Sequence, residues 1–327
     1  MKKQKILAIA LASVILIFSL SSCKADRFDI DAAKYNYPSL VSGDGWESTM
    51  DVDFASITSM EELNKNYWYS VKHGLRKYEY WCPDMIDFSS SDGLVIHSVQ
   101  SENHVCTDEL CPLNGVFTGG IDSRDPTTGE GFYQAFGYFE VEVKVPTGDG
   151  MWSAFWLQST NTGRIGKKGM DGSEIDVYES SFKNSSTPNS LGNAIHYDAY
   201  DWPFYQSHGA VSTTENNPYD GEFHTYGLLW TPKEYVFYMD GKPYYATKFG
   251  GVAKIAEYLR LTVEIRTGVQ GPYSQDIGEF SNDFGAANDF VIKSVKVYQK
   301  DEYKSEIKTL DDMGWSFLDW AYRLFKK

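Results

Sequence analysis

Basic residues are the scarce class in this chain: 30 Lys and Arg stand against 45 Asp and Glu, a formal net charge of −15. Phosphate backbones need a basic surface, so the balance excludes nucleic acid as the expected partner. Cysteine is nearly as sparse, with 4 in 327 residues. Around the pair in HVCTDELC, His104, Cys106 and Cys111, no complete four-ligand set is visible. A small disulfide loop or free thiols is therefore expected there rather than zinc, with Cys82 left over. The chain also lacks any long helical pattern or internal repeat, which excludes bundles and solenoids. No apolar run makes a comfortable membrane span: ILAIALASVILIFSL is too short.

That run follows the basic start MKKQK and leads into Leu20-Ser21-Ser22-Cys23. The arrangement resembles a bacterial lipobox, in which Cys23 is the lipidation site and residues 1–22 are the signal peptide. Two acyl chains and more suffice for stable anchoring. The expectation is an exported protein, lipid-anchored at the bacterial cell surface or outer membrane, with residues 23–30 as the anchored linker.

What the sequence has in abundance is strand. FGYFEVEVKV (136–145) alternates Phe139, Val141, Val143 and Val145 with Glu140, Glu142 and Lys144, the pattern of a half-buried antiparallel strand. EYVFYMDGKPYYAT (234–247) is two β-rich runs joined by Asp240-Gly241, a hairpin signal. Further strands are expected at 93–100, 152–158, 174–179, 193–200, 223–230, 259–266 and 290–298, and one helix start at Ser59. Many strands without helical crossovers imply a sandwich or barrel. In the last segment, 301–327, Trp315, Leu318, Tyr322 and Phe325 recur at helical spacing, an amphipathic tail expected to dock on its own domain.

Within SEIDVYES, three carboxylates crowd six positions. On a regular strand Glu174 and Asp176 share a face and Glu179 points to the other. A bulge around Val177-Tyr178 would return Glu179 to the face of its partners. Paired carboxyls on one surface are the minimum for cleaving a glycosidic bond. One must be ionised to attack and the other protonated to donate, and their mutual repulsion helps split the two pKa values. The residues alone fit a solvated acidic strand equally well.

EIDVYE resembles the E-x-D-x-x-E motif of glycoside hydrolase family 16, in the bulged branch that holds laminarinases, agarases, carrageenases and endo-β-galactosidases. FGYFEVEVKVPTGDGMWSAFWLQ (136–158), FHTYGLLWTPKEYVFYMDGK (223–242) and FVIKSVKVYQ (290–299) are similar to further blocks of the family, in the right order. The resemblance implies an all-β concanavalin A-like jelly-roll sandwich of two antiparallel sheets, spanning 31–300, with a substrate cleft on the concave face. It implies Glu174 as nucleophile, Glu179 as acid/base and Asp176 between them. It also implies substrate contacts from Trp152, Trp156 and His196, one tryptophan stacking on sugar and the other in the core. Trp202, Tyr205, Arg124, Glu264 and Arg266 are further candidates for the cleft. The expected activity is retaining, endo-acting hydrolysis of a polysaccharide by a monomer, first of all a β-1,3(4)-glucan. Alternatives are an endo-β-galactosidase acting on mucin-type, keratan-type or algal galactan chains, a transglycosylase, and a non-catalytic carbohydrate-binding lipoprotein. No cofactor is required. A structural calcium is left open by Asp289, although Lys293 stands where many relatives carry an Asp. The approach GKKGMDGSEID and the strand LTVEIRTG both depart from the laminarinase pattern at substrate-contact positions.

Overall fold

The computed structural model of the protein describes residues 28–35, 43, 45–77, 79–101, 106–107, 112, 115–148, 150–162, 164–180, 189–200, 203–265 and 287–325. Cys23, His104, Cys111, Trp202 and Arg266, with the signal segment, lie outside them.

Two large antiparallel sheets face each other. One has seven strands: β1 (Tyr69–Ser70), β2 (Gly120–Asp122), β3 (Met151–Gln158), β4 (Glu174–Glu179), β5 (Ser190–Tyr197), β6 (Gln206–Thr213) and β7 (Tyr258–Ile265). Their spatial order is β6-β5-β4-β3-β7-β2-β1. The other sheet has eight strands and centres on Gly137–Lys144, flanked by His224–Trp230 and Phe290–Lys300. A small four-stranded sheet (Gly74–Leu75, Tyr80–Trp81, Val99–Ser101, Gly115–Thr118) lies to one side.

Period-two alternation builds the core. Phe139, Val141 and Val143 of the eight-stranded sheet are fully buried, as are Phe155, Leu157, Leu259, Leu261 and Val263 of the seven-stranded one. Each aromatic or branched side chain so placed contributes about 1.5–3 kcal/mol of burial. The alternate positions of β3 and β7, namely Trp152, Ala154, Trp156, Gln158, Tyr258, Arg260, Thr262 and Glu264, turn to the outer face. The Asp240-Gly241 hairpin is present, pairing Met239 with Lys242. The helix Met60–Lys65 starts where Ser59 caps it, accepting from Glu62 N–H.

Three expectations change. Phe28–Ile30, assigned to the linker, instead lie along the edge strand Lys242–Thr247: Asp29 bridges Thr247, and Ile30 N–H donates to Ala246 O at 2.9 Å. They cover an edge that would otherwise expose unpaired backbone. The expected strand 193–200 stops at Tyr197, because Asp198 and Ala199 take positive φ of 58° and 60° and turn the chain. The tail does dock through the side that carries Leu318 and Tyr322, but Trp315 leaves the expected stripe. Trp315 is 66% exposed, while Asp319 is buried, accepting from Ile165 N–H and Arg323, and Tyr322 meets Phe204 edge-on at 5.4 Å. The helix Phe317–Phe325 is thereby pinned to the loops that follow β3 and β5.

Candidate active site

Register places the acids. Along β3 and β4, Gln158 faces Glu174, Trp156 faces Asp176, Phe155 faces Tyr178 and Ala154 faces Glu179, so Val177 has no counterpart. The same extra residue appears against β5, where Asp176 opposes Ala194 and Glu179 opposes Gly192. Val177 and Tyr178 therefore both turn into the core, and Glu179 emerges beside Asp176 and Glu174 on the outer face. The core supports the irregularity. Tyr244 of the opposite sheet donates its O–H to Val177 O at 2.7 Å, and the Tyr178 and Tyr226 rings stack at 4.2 Å.

A cleft of about 810 Å³ opens over this face, lined by all three acids, Trp152, Trp156, His196, Tyr200, Tyr205 and Arg260 among others. Its floor is a grid of rows running across the strands. One row carries His196, Glu174, Gln158 and Tyr258; the next carries Ala194, Asp176, Trp156 and Arg260; the third carries Gly192, Glu179, Ala154 and Thr262. Large polar groups thus surround Glu174, whereas the cross-strand neighbours of Glu179 are the small Ala154 and Gly192.

The electrostatics divide the acids. Burial raises the pKa of both Glu174 and Glu179, and the charge of Asp176 adds to it in each. Glu174 Oε2 accepts from Tyr200 O–H at 2.6 Å and from Gln158 N–H at 3.2 Å, donors that favour its ionised form. Glu179 Oε1 accepts from Trp152 Nε1–H at 2.9 Å. His196 Nε2 sits 3.0 Å from Asp176 Oδ2 and 4.0 Å from Glu174 Oε1. Burial works against a charged ring there, but the hydrogen bond and charge of Asp176, with Glu174 behind it, push the imidazole up to about 10. Its other nitrogen is hydrogen-bonded to the hydroxyl oxygen of Tyr205, whose ring lies parallel to the imidazole at 5.8 Å. Donor atoms of Glu174, Asp176 and His196 lie within 4.8 Å of one another.

The other expected contacts are distributed unevenly. Trp152 and Trp156 both face the cleft, so neither belongs to the inter-sheet core. The guanidinium of Arg260 lies over Trp156 at 4.2 Å, leaving the ring 5% exposed. Lys77 Nζ stands 3.7 Å over Trp152. Glu264 lines the cleft, yet it is held by Arg76 Nε at 2.7 Å and by Lys77. Burial opposes its charge, but the two cations outweigh this and hold the carboxyl below its usual range. Arg124 does not join the lining; it packs behind, 5.6 Å over the Tyr258 ring. Asp289 is engaged with His97 Nδ1 at 2.7 Å, and Lys293 with Glu142 at 2.7 Å. Cys106 is in a disulfide, so it offers no thiolate beside His73 and Cys82.

Sequence reasoning missed Arg76, Lys77, Gln158, Tyr200 and Arg260. Gln158 and Arg260 carried a signal, since each shares strand parity with an expected cleft residue. Arg76, Lys77 and Tyr200 come from loops or short strands and carried none.

A sandwich of two antiparallel sheets, with an acidic bulged strand on the floor of a cleft, has the architecture of a polysaccharide-active jelly roll. Residues 120–265 match the model of glycosyl hydrolases family 16. It is similar to the endo-1,3-1,4-beta-glycanase ExsH of Rhizobium meliloti, 31% identical over 149 residues, covering 42% of this chain and 28% of that protein. It is likewise similar to glucan endo-1,3-beta-glucosidase A1 of Niallia circulans, 32% identical over 129 residues, 39% of this chain and 17% of that protein. The chain thus spans well under a third of these relatives' length. Its fold resembles the crystal structure of porphyranase B from Zobellia galactanivorans, with TM-score 0.58 and 19% identity over 78% of this chain and 92% of that one.

Proposed function

We propose that this chain is a retaining, endo-acting glycoside hydrolase that cuts internal β-glycosidic bonds of a polysaccharide. The observation that carries the reading is the bulge at Val177, which sets Glu179 on the same cleft face as Glu174 and Asp176. Glu174 attacks the anomeric carbon while Glu179 gives its proton to the departing glycosidic oxygen, leaving a glycosyl-enzyme ester. Glu179, now ionised, takes a proton from water, whose oxygen displaces Glu174. Asp176 and protonated His196 hold a fixed charge pattern between the two. No cofactor enters.

The backbone substrate of first choice is a β-1,3(4)-glucan. A galactose-based chain is the second reading, favoured by the ion-paired rim of Arg76, Lys77 and Glu264, where the sequence departs from the laminarinase pattern. We further propose that the protein works as a monomer, anchored through a lipid on Cys23 at the bacterial surface. Radiolabelled palmitate incorporation that survives Cys23→Ala would refute the anchor.

The deciding experiment incubates the chain with laminarin, mixed-linkage glucan, agarose, porphyran, keratan and mucin glycans, and follows product mass and anomer by NMR. Internal cleavage with retained β-configuration is expected, and Glu174→Gln and Glu179→Gln each abolish it while remaining folded. Inverted product, or full turnover by Glu174→Gln, overturns the assignment.

A further inference from the structure

Gln158 ends β3 and is the cross-strand neighbour of Glu174 on one side and of Tyr258 on the other. Its amide is fully engaged. Oε1 accepts from Tyr258 O–H at 2.7 Å and from Arg260 Nη1 at 2.9 Å. Nε2 donates to Glu174 Oε2 at 3.2 Å and to the Tyr200 hydroxyl oxygen at 3.1 Å, and that hydroxyl donates to the same Glu174 oxygen. Two donors and two acceptor sites are all that a glutamine amide offers, and here each is used.

The orientation of that amide is forced. A guanidinium can only donate, so the side turned toward Arg260 must be oxygen and the side turned toward Glu174 must be N–H. Arg260 is itself immobilised: Nε and Nη2 bind the two oxygens of buried Asp122 at 2.7 and 3.0 Å, and Trp156 lies against its plane at 4.2 Å. A rigid chain thus runs Asp122–Arg260–Gln158–Glu174 across four strands.

We propose that Gln158 is a positioning residue for Glu174: locked by Arg260 and Tyr258, it ties down Oε2, holds the carboxylate ionised, and leaves Oε1 as the attacking oxygen. This rests on the reading of Glu174 as nucleophile. Oε1 faces His196 Nε2 at 4.0 Å and receives no closer donor among the described residues. The surroundings of Glu174 make such support necessary. Asp176 and Glu179 on its own strand, and Glu257 beneath, disfavour its charge. His196 and Tyr200 from the β5 side, and Arg260 with Gln158 from the β3 and β7 side, are the groups that favour it.

The test uses the full chain with Gln158→Met, Gln158→Glu, Tyr258→Phe and, as reference, Glu174→Gln. Carboxyl carbon NMR of glutamate-labelled protein follows the Glu174 titration, its signal identified by loss in Glu174→Gln. Mixed-linkage glucan, or whichever polymer of the panel is cut, supplies the pH–rate profile. In Gln158→Met the Glu174 midpoint and the acid limb of kcat both move to higher pH by about one unit, with kcat down about tenfold and KM within about twofold. Gln158→Glu keeps an acceptor for Arg260 and Tyr258 but sets a carboxylate beside Glu174, and loses more. Tyr258→Phe frees one side of the lock and shifts the midpoint part of the way. An unmoved midpoint and acid limb in Gln158→Met overturn the proposal, even if melting temperature falls. Full turnover by Glu174→Gln removes the assignment of Oε1 as attacking atom, while the NMR titration still decides whether Gln158 holds Glu174.

Discussion

The indole N–H of Trp152 is bonded to Glu179 Oε1 at 2.9 Å, from a ring whose face carries Lys77. Trp152 is thus tied to the proposed proton donor before any sugar arrives. That bond favours the ionised form of Glu179, opposing the burial and the Asp176 charge that raise its pKa. Trp152→Phe keeps the ring and loses the donor, so the Glu179 pKa rises further and the acid stays protonated to higher pH. The basic limb of kcat should move up by about half to one unit, with kcat/KM down several-fold. A pH–rate profile of the variant checks it.

The same environment makes the site costly to the fold. A carboxyl whose pKa is raised in the folded state binds its proton more tightly there than in the unfolded chain. Stability is therefore lost as pH rises from the unfolded pKa through the folded one. Glu179→Gln, which cannot ionise, should melt above the parent at pH 8 by roughly 2–4 °C and match it at pH 4. Calorimetry at the two pH values decides this.

His196 titrates with the opposite charge and the same trend. Its pKa rises from the usual 6.5 to about 10, so its ion pair with Asp176 stabilises fully below 6.5 and fades as pH climbs through 10. His196→Asn should destabilise most at pH 6 and least above pH 10, as read from denaturant midpoints across that range.

Between the sheets, Phe155 is fully buried next to the bulge, whereas Val211 on edge strand β6 is 54% exposed. Phe155→Ala should cost about 3–5 kcal/mol through lost burial and a cavity, and Val211→Ser within about 0.5 kcal/mol. Urea unfolding of both separates core from edge.

The C-terminal helix grips the cleft loops through buried Asp319 and through Arg164, which donates to Gly314 O at 2.5 Å. Removing residues 309–327 should speed amide exchange in 159–173 and 198–205 and lower kcat/KM, because Tyr200 leaves the second of those loops to reach Glu174. Exchange in Gly137–Lys144 should stay unchanged.

Much of this architecture could be read from alternation alone. Phe139, Val141 and Val143 declare a buried face, whereas the parity of Glu179 required a bulge only once the family resemblance set it in the cleft. Strands Trp46–Asp53 and Gln206–Thr213 escaped notice because both are largely exposed and polar, so few apolar residues mark their two-residue alternation in the sequence. In the site, the acids were legible because they sit on one short strand. The Gln158 network was not, since it depends on the register of three strands, with Gln158 and Arg260 about a hundred residues apart. Trp152 and Trp156, by contrast, were misjudged where parity was informative: an even spacing puts both rings on one face.

The rows across the cleft floor also say how this site can change. Successive rows are two residues apart along β3, β5 and β7, roughly 7 Å, and on β4 the bulge lengthens one step to three. Contacts fasten them both within and between rows: Gln158 on Glu174, Arg260 on Gln158 and over Trp156, Thr262 on Trp156 Nε1, and Arg76 with Lys77 on Glu264. A substitution at Glu264 would remake the grip on a neighbouring sugar while Gln158 keeps its lock on Glu174. Such independence lets one chemistry be passed intact between different polymers.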